Sequence, residues 1–424
     1  MQTKTLLDAV LSRIERNRDD LLQATSELIR IPSVVGHEGD AQGYVQSLYS
    51  AAGLTVESFE TSLADVADHP AYIPVPHTYC ARPNIIGILE GDARSPSLIL
   101  NGHVDVVSPE PLDKWTRDPW GAEVHDGCLF GRGAFDMKAG LVANFFALKA
   151  LLDCGIRPAG SVLLESVIEE EAGGGGGTLA CFLKGYHASG MLVPEPSRLK
   201  VFLSHNGIKL FRVKVIGRSA HAALSHTGVN AIGKMNRIYD ALVDLDHRRA
   251  ETHRYPLGEK YSGRSCNLNI GTYTAGDWPA TVAGMAEMGC RIGFVPGETG
   301  KDIVREVEQT IAAAARSDPW LAEHPPQVEW FGFNTEPWLQ DENDPFVRRF
   351  LTSAEPLLGA EPELSGFPGG LDTRFSGAFG TPSFVFGPKG DHLHGPDEYV
   401  EIDSLVLLTR VIAKFILDWC GYRE

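Results

Sequence analysis

No run of 18 consecutive apolar residues occurs in the chain, so no membrane-spanning helix is expected. Positive charge is scarce as well: 38 Lys and Arg stand against 55 Asp and Glu, a formal net charge of −17. Such a surface repels phosphate backbones and argues against a nucleic-acid partner. Cysteine is sparse, seven residues in 424, scattered, odd in number and without a CxxC pair. Neither a disulfide framework nor a cysteine zinc site is expected. The thiols read as small buried apolar residues in a reducing cytoplasm. The opening MQTKTLLDAVLSRIERNRDD is a charged amphipathic helix without the unbroken apolar core of a signal peptide. No internal repeat is visible. What remains is ordinary for a globular protein, 43% hydrophobic and 22% charged, with length enough for two domains.

Residues 4–31 read as one helix, ended by Ile31-Pro32-Ser33. Strands are then expected at 84–89, 97–101, 161–168 and 191–193, with a helix over 137–152 and a short one over 177–184. This β-α-β rhythm predicts an α/β domain whose mixed, largely parallel sheet is flanked by helices. Near residue 207 the pattern changes. Residues 208–216 alternate apolar and polar, as a half-exposed strand does. A helix over 229–245, strands over 267–273 and 285–294, a helix over 301–315 and a strand over 327–333 follow. That β-α-β-β-α-β order is the one of a ferredoxin-like unit. The expected organisation is therefore a catalytic domain of residues 1–206 and 336–424, interrupted by a lid of residues 207–335. Elements at 345–358, 383–386 and 404–418 resume the first domain.

Histidines and acids collect just after strands, where open α/β sheets bind their ligands. His103 and Asp105 follow SLILN, and Glu169, Glu170 and Glu171 follow SVLLESVI. Glu195 follows MLVP, and His394 follows SFVF across a glycine-rich loop. Asp136 sits in GRGAFDMKAG, just ahead of a helix. Imidazole nitrogens and carboxylate oxygens are the ligands that divalent metals take. Each feature alone has a plain structural explanation: a hydrogen-bonded His–Asp pair, a solvated acidic turn, a loop between prolines. Their joint occurrence at successive strand ends points to a metal site instead.

The motifs LNGHVDVV, WTRDPW, GRGAFDMKAG, VIEEEAGG, VPEP, GRSAHAA and HLHGPDEYV run in this order along nearly the whole chain. Together they resemble the M20 metallopeptidase family, which includes acetylornithine deacetylase, succinyl-diaminopimelate desuccinylase, aminoacylase-1 and carboxypeptidase G2. The resemblance implies a catalytic α/β domain with an inserted ferredoxin-like lid that dimerises. It also implies two divalent ions, zinc by default, with manganese or cobalt suiting the same ligands. His103, Asp136 and Glu195 would hold one ion, and Asp136, Glu171 and His394 the other. Asp105 would orient the His103 imidazole from behind. Glu170 would act as general base, taking a proton from the activated water and returning it to the leaving nitrogen. The EEE run leaves the register of base and ligand open, though Glu170-Glu171-Ala172-Gly173 fits the family's pair of acids before a glycine better than Glu169-Glu170. HGPDEY favours His394 over His392. His221, in GRSAHAA, would help stabilise the oxyanion from the lid of a second subunit.

The sequence also departs from the family. Where many members carry a lid asparagine in Asn-x-Ile-Pro, this chain has Ala280-Thr281-Val282-Ala283, which puts ordinary peptide recognition in doubt. Asn269, in NLNIG, is either a substitute for it or a buried structural residue. Arg374, in PGGLDTRF, is either an anchor for a substrate carboxylate or a salt-bridge partner of Asp372. The segment 69–80, with three prolines, has no counterpart and is expected to wall the pocket.

Four activities compete. The first is release of an acyl group from a small N-acylated amino acid or amine. The second is hydrolysis of a less common C–N bond, by deformylation or aromatic deamination. The third is aminopeptidase or dipeptidase action, and the fourth an inactive binding protein. Intact Glu170 and a full ligand set argue against the fourth. The lack of an acidic anchor for a free α-amine argues against the third. The expected protein is a cytoplasmic homodimer acting on a small carboxylated molecule.

Overall fold

The computed structural model describes residues 2–423. The chain divides into two compact units. One comprises Met1–Leu203, Gln340–Leu364 and Leu371–Glu424; the other comprises Ser204–Leu339 and Ser365–Gly370.

The first unit is built on a mixed sheet whose strands run Thr55–Glu60, Pro83–Leu89, Val162–Val167, Leu98–His103, Met191–Val193, Ser383–Val385 and Val201–His205 in spatial order. The four in the middle are mutually parallel, and the flanking pairs are antiparallel. Every residue of Leu98–His103 and Val162–Val167 is buried, as expected of strands covered on both faces. The carboxyl ends of the parallel strands share one edge of the sheet, and the site residues leave from it.

The helix Ala139–Asp153 is apolar nearly all round because it lies inside, packed against the sheet and against Ile402–Cys420. The single helix expected over 4–31 is instead two, Gln2–Arg16 and Arg18–Arg30, broken at Asn17. Asp19 and Asp20 then fall in the first turn of the second helix, where acids complement its dipole. The helix Gly39–Ala51 and the strand Thr55–Glu60 are further elements that periodicity left unread. All seven cysteines are free thiols, and no described helix is long and apolar enough to cross a membrane.

The second unit is a four-stranded antiparallel sheet in the order Leu268–Ala275, Met285–Phe294, Gly207–Ile216, Gln327–Thr335. Helices Ala231–Thr252 and Gly300–Arg316 cover one face, completing a βαββαβ ferredoxin-like unit. Phe211, Val213 and Val215 alternate inward and meet Ile238, Leu242, Ile303 and Val307 in the core. The helix Gly300–Arg316 starts with a reciprocal capping box between Thr299 and Asp302.

Candidate metal centre

His103 is the last residue of its strand, and Glu195 stands between two prolines after Met191–Val193. Glu170 and Glu171 open a short 3-10 turn, Glu170–Ala172, just beyond Val162–Val167. Asp136 lies in an irregular turn that leads into the helix Ala139–Asp153. These turns bring two ligand groups together. His103, Asp136 and Glu195 offer ligand atoms all within 4.8 Å of one another, and so do Asp136, Glu171 and His394. Asp136 belongs to both. Its Oδ1 is 3.2 Å from His103 Nε2, and its Oδ2 is 3.3 Å from His394 Nε2. Glu195 Oε1 lies 3.4 Å from His103 Nε2, and Glu171 Oε2 lies 3.1 Å from His394 Nε2. The first group is buried, whereas the His394 side chain is 48% exposed.

The donor set fits divalent cations. His103 Nε2, Glu195 Oε1 and Glu170 Oε1 are all buried, and none of them makes a well-aligned hydrogen bond within the protein. Buried polar atoms without good hydrogen bonds are costly, and three of them at one place mark a site whose partner is an ion or its ligands. The electrostatics agree. Burial, then the charge of Asp136, pushes Glu195 up to about 8. Burial, then Asp372 and Glu195, pushes Glu170 well above the carboxylate range. Burial would lower both histidines, but the carboxylates around them prevail, raising His103 strongly and His394 to about 11. Asp136, despite its burial, is held far below its usual range by the two imidazoles. By their own charges His103, His394, Glu195 and Glu170 hold protons, whereas Asp136 is already ionised. Metal ligation needs the opposite forms, neutral imidazole and ionised carboxylate, so cations and protons compete for the site.

The supporting residues differ in part from expectation. His103 Nδ1 is 2.9 Å from the backbone oxygen of Asp105, while the Asp105 carboxylate is 3.6 Å away. The main chain of Asp105 therefore orients the imidazole. Its carboxylate instead accepts the backbone N–H groups of Glu170 and Glu171, at 3.2 and 3.1 Å. Sequence reasoning also missed a buried pair, Arg132 and Glu398, joined at 2.5 Å. Glu398 accepts the backbone N–H groups of Phe135 and Asp136, and Arg132 donates to the carbonyls of His394 and Gly395. One ion pair thus ties the bridging aspartate to the His394 loop. Both residues stand inside motifs already noted, GRGAFD and HGPDEY, but types alone give no reason to single them out. Asp397 beside them fixes Thr116 and Arg117.

Glu169 turns away from the ligands. Its backbone is left-handed at φ 70, and its carboxylate accepts Tyr79 Oη–H and Gly176 N–H, 3.8 Å from Arg82. Arg82 in turn makes a two-pronged contact with buried Glu38. The segment 69–80 lies on the glycine run: Ile73, Tyr72 and Tyr79 occupy the space that side chains on Gly173, Gly175 and Gly176 would need. Arg374 donates to the carbonyls of Leu371 and Gly173 and sits 3.7 Å from Asp372. This geometry favours the structural role over the carboxylate anchor.

Two of the sequence-selected residues belong to the second unit. Asn269 is exposed on the strand Leu268–Ala275, so it is not a buried structural residue. His221 is exposed, and its Nδ1 accepts the Ala223 N–H, which leaves the proton on Nε2. Its loop is hydrogen-bonded to the Ala280–Ala283 stretch through Ala222 N–H to Ala280 O and Val282 N–H to Ala220 O.

Residues 99–418 match peptidase family M20/M25/M40. The chain is 28% identical to the N-formyl-4-amino-5-aminomethyl-2-methylpyrimidine deformylase of Halalkalibacterium halodurans, over 99% of each protein. It is 29% identical to the succinyl-diaminopimelate desuccinylase of Methylorubrum extorquens, over 94% of this chain and 98% of that protein. Among solved structures, human carnosine dipeptidase 1 superposes with a TM-score of 0.76 at 16% identity, covering 98% and 99% of the two chains. A Staphylococcus aureus tripeptidase does so with a TM-score of 0.72 at 22% identity, covering 94% and 98%. At these identities the structures speak for the fold alone.

Proposed function

The chain belongs to peptidase family M20/M25/M40, and on that premise we propose that it hydrolyses the C–N amide bond of a small N-acyl compound in a metal-dependent reaction. The observation that carries this reading is Asp136, shared by two ligand groups, with the buried Glu170 beside them. His103, Asp136 and Glu195 would hold one ion, and Asp136, Glu171 and His394 the second. Divalent cations, zinc by default with manganese and cobalt as alternatives, supply Lewis acidity that polarises the scissile carbonyl and makes water nucleophilic near neutral pH. Glu170 takes the proton of the attacking water and delivers it to the leaving nitrogen. Burial raises the proton affinity of Glu170, which suits delivery of the proton to the leaving nitrogen, while the charge of bound cations would keep the carboxylate ionised to take it from water.

Within amide hydrolysis, removal of a formyl group is the reading best supported by the relatives. Two full-length matches, from Halalkalibacterium halodurans and Bacillus subtilis, carry a deformylase name. Desuccinylation is the second reading, supported by the Methylorubrum extorquens match. The lid sequence Ala280–Ala283, which lacks the asparagine of many family members, favours a non-peptide amide over a dipeptide. The reading extends to a cytoplasmic homodimer in which the partner subunit's His221 donates Nε2–H to the developing oxyanion. Two features support that assembly. The strand Leu268–Ala275 lies at the edge of its sheet, and Trp278, Leu224 and Met285 are exposed at 67%, 54% and 45%.

The test is a comparison of kcat/KM over N-formyl, N-acetyl and N-succinyl amines with the metal-loaded enzyme. Release of formate, acetate or succinate identifies the acyl group. A protein no faster on any of them than its Glu170→Gln variant would sink the reading.

A further inference from the structure

The 3-10 turn that carries Glu170 and Glu171 is three residues long, so few hydrogen bonds of its own hold it and its surroundings share in fixing it. It follows the left-handed Glu169 and ends at Gly173, whose φ of 130 belongs to glycine. At its front, the Asp105 carboxylate takes the first two N–H groups of the turn. At its back stands Arg374, with its side chain 8% exposed. One guanidinium nitrogen, Nη2, donates to the Gly173 carbonyl at 2.5 Å, and the other, Nη1, donates to Leu371 O at 3.0 Å. Asp372 lies 3.7 Å from the same fork, and the guanidinium carbon is 4.1 Å from the centre of the Phe375 ring. Close approach is possible because the next residue is Gly174: a side chain there would begin 2.2 Å from Asp372 Oδ1.

We propose that Arg374 is a positioning residue for Glu170: by holding the Gly173 carbonyl it fixes the turn from behind, as Asp105 fixes it from the front. The proposal rests on the reading of Glu170 as the base. It departs from the role that the sequence offered for Arg374, an anchor for a substrate carboxylate. A planar fork bridging two carbonyls is a task for arginine, which lysine's single ammonium performs poorly. Displacement of a reacting group by about 1 Å costs on the order of 100-fold in rate, so a loosened turn acts on turnover rather than on substrate affinity.

The experiment compares wild type, Arg374→Ala, Arg374→Lys and Glu170→Gln on a substrate that carries a carboxylate and on its uncharged analogue. Metal content is measured for each variant. Arg374→Ala is expected to retain its metals and to lose kcat by about 10- to 100-fold on both substrates, with KM changed by less than about threefold. Arg374→Lys should recover part of that loss. A rise in KM confined to the carboxylated substrate would establish the anchor instead. Wild-type kcat in Arg374→Ala would leave the residue a role in stability alone and overturn the proposal. If the alanine variant is insoluble, Arg374→Lys decides the same split of kcat and KM. The control keeps the two readings apart: wild-type turnover in Glu170→Gln would refute the base, whatever Arg374 does.

Discussion

Single residues matter here mainly through charges taken out of water. Glu165 lies mid-strand with no exposure, accepts Asn101 Nδ2–H at 2.9 Å and has no partner for Oε1. Burial, with a contribution from Asp372 against the hydrogen bond of Asn101, pushes it up to about 7. The folded state therefore keeps this proton after the unfolded chain has released it. Stability attributable to Glu165 falls as pH rises from the unfolded value of 4.5 to about 7, then levels off. Glu165→Gln removes that loss. Urea unfolding should show the variant more stable by about 3 kcal/mol at pH 8 and equal to wild type at pH 4. Equal stability at both pH values would mean that the carboxyl ionises freely.

The acidic triplet yields a second prediction. Glu170→Gln should keep two equivalents of metal and lose turnover roughly 10²- to 10⁴-fold. Glu171→Ala should lose metal from the group it shares with Asp136 and His394. Elemental analysis separates the two, and the reverse result would exchange base and ligand. The residue types of this site were legible in the sequence because chemistry restricts ligands to a few side chains. The division of labour inside Asp105 was not, because a backbone oxygen and a carboxylate of one residue look alike until hydrogen bonds are drawn.

Elements deliver the ligands, and two glycines set how closely they do so. Gly140, in the helix Ala139–Asp153, faces the Pro194 carbonyl: a Cβ would stand 2.3 Å from it. Gly387, after the strand Ser383–Val385, faces the Glu195 carbonyl at 2.0 Å in the same sense. Both atoms are backbone and have little room to yield. Gly140→Ala should push Glu195 away from His103, costing about 1–3 kcal/mol of stability as overpacking does. It should also weaken binding of one metal equivalent while sparing the other. Isothermal titration of the apo protein checks this; two unchanged affinities would show that the loop relaxes freely. Periodicity revealed the strands and the longer helices, since burial on two faces or one leaves an apolar pattern. It missed the break at Asn17 because both helices share one amphipathic stripe across it. It missed Thr55–Glu60 because every residue of that strand is at least partly exposed.

At the level of the whole molecule, the two ligand groups differ in access to solvent. The group of His103, Asp136 and Glu195 is buried, and the one that includes His394 is open. A chelator should therefore remove one equivalent quickly and the second slowly, and His394→Ala should contain only the slow one. Loss of both at a single rate would contradict the asymmetry. The proposed dimer has its own check. Mixing inactive His221→Ala with inactive Glu170→Ala subunits should restore part of the activity, because one active site then receives both intact residues. A fully active monomer would refute it.

The sequence by itself determined the chemistry on offer, because the identity and order of histidines and carboxylates at strand ends restrict which ions and proton transfers are possible. It also marked a change of pattern near residue 207, because the alternation of apolar residues differs between buried parallel strands and a one-sided antiparallel sheet; that residues 365–370 join the second unit was visible only in the structure. Tertiary structure alone decided that Glu169, with its left-handed backbone, turns its side chain to Tyr79 and away from the ligand groups. It alone decided that Arg132 and Glu398 join the bridging aspartate to the His394 loop, and that Arg374 grips the turn of Glu170. The physical reason is the same in each case. A side chain's chemistry is local, whereas its partners come from distant parts of the chain and are fixed only when every intervening backbone angle is set.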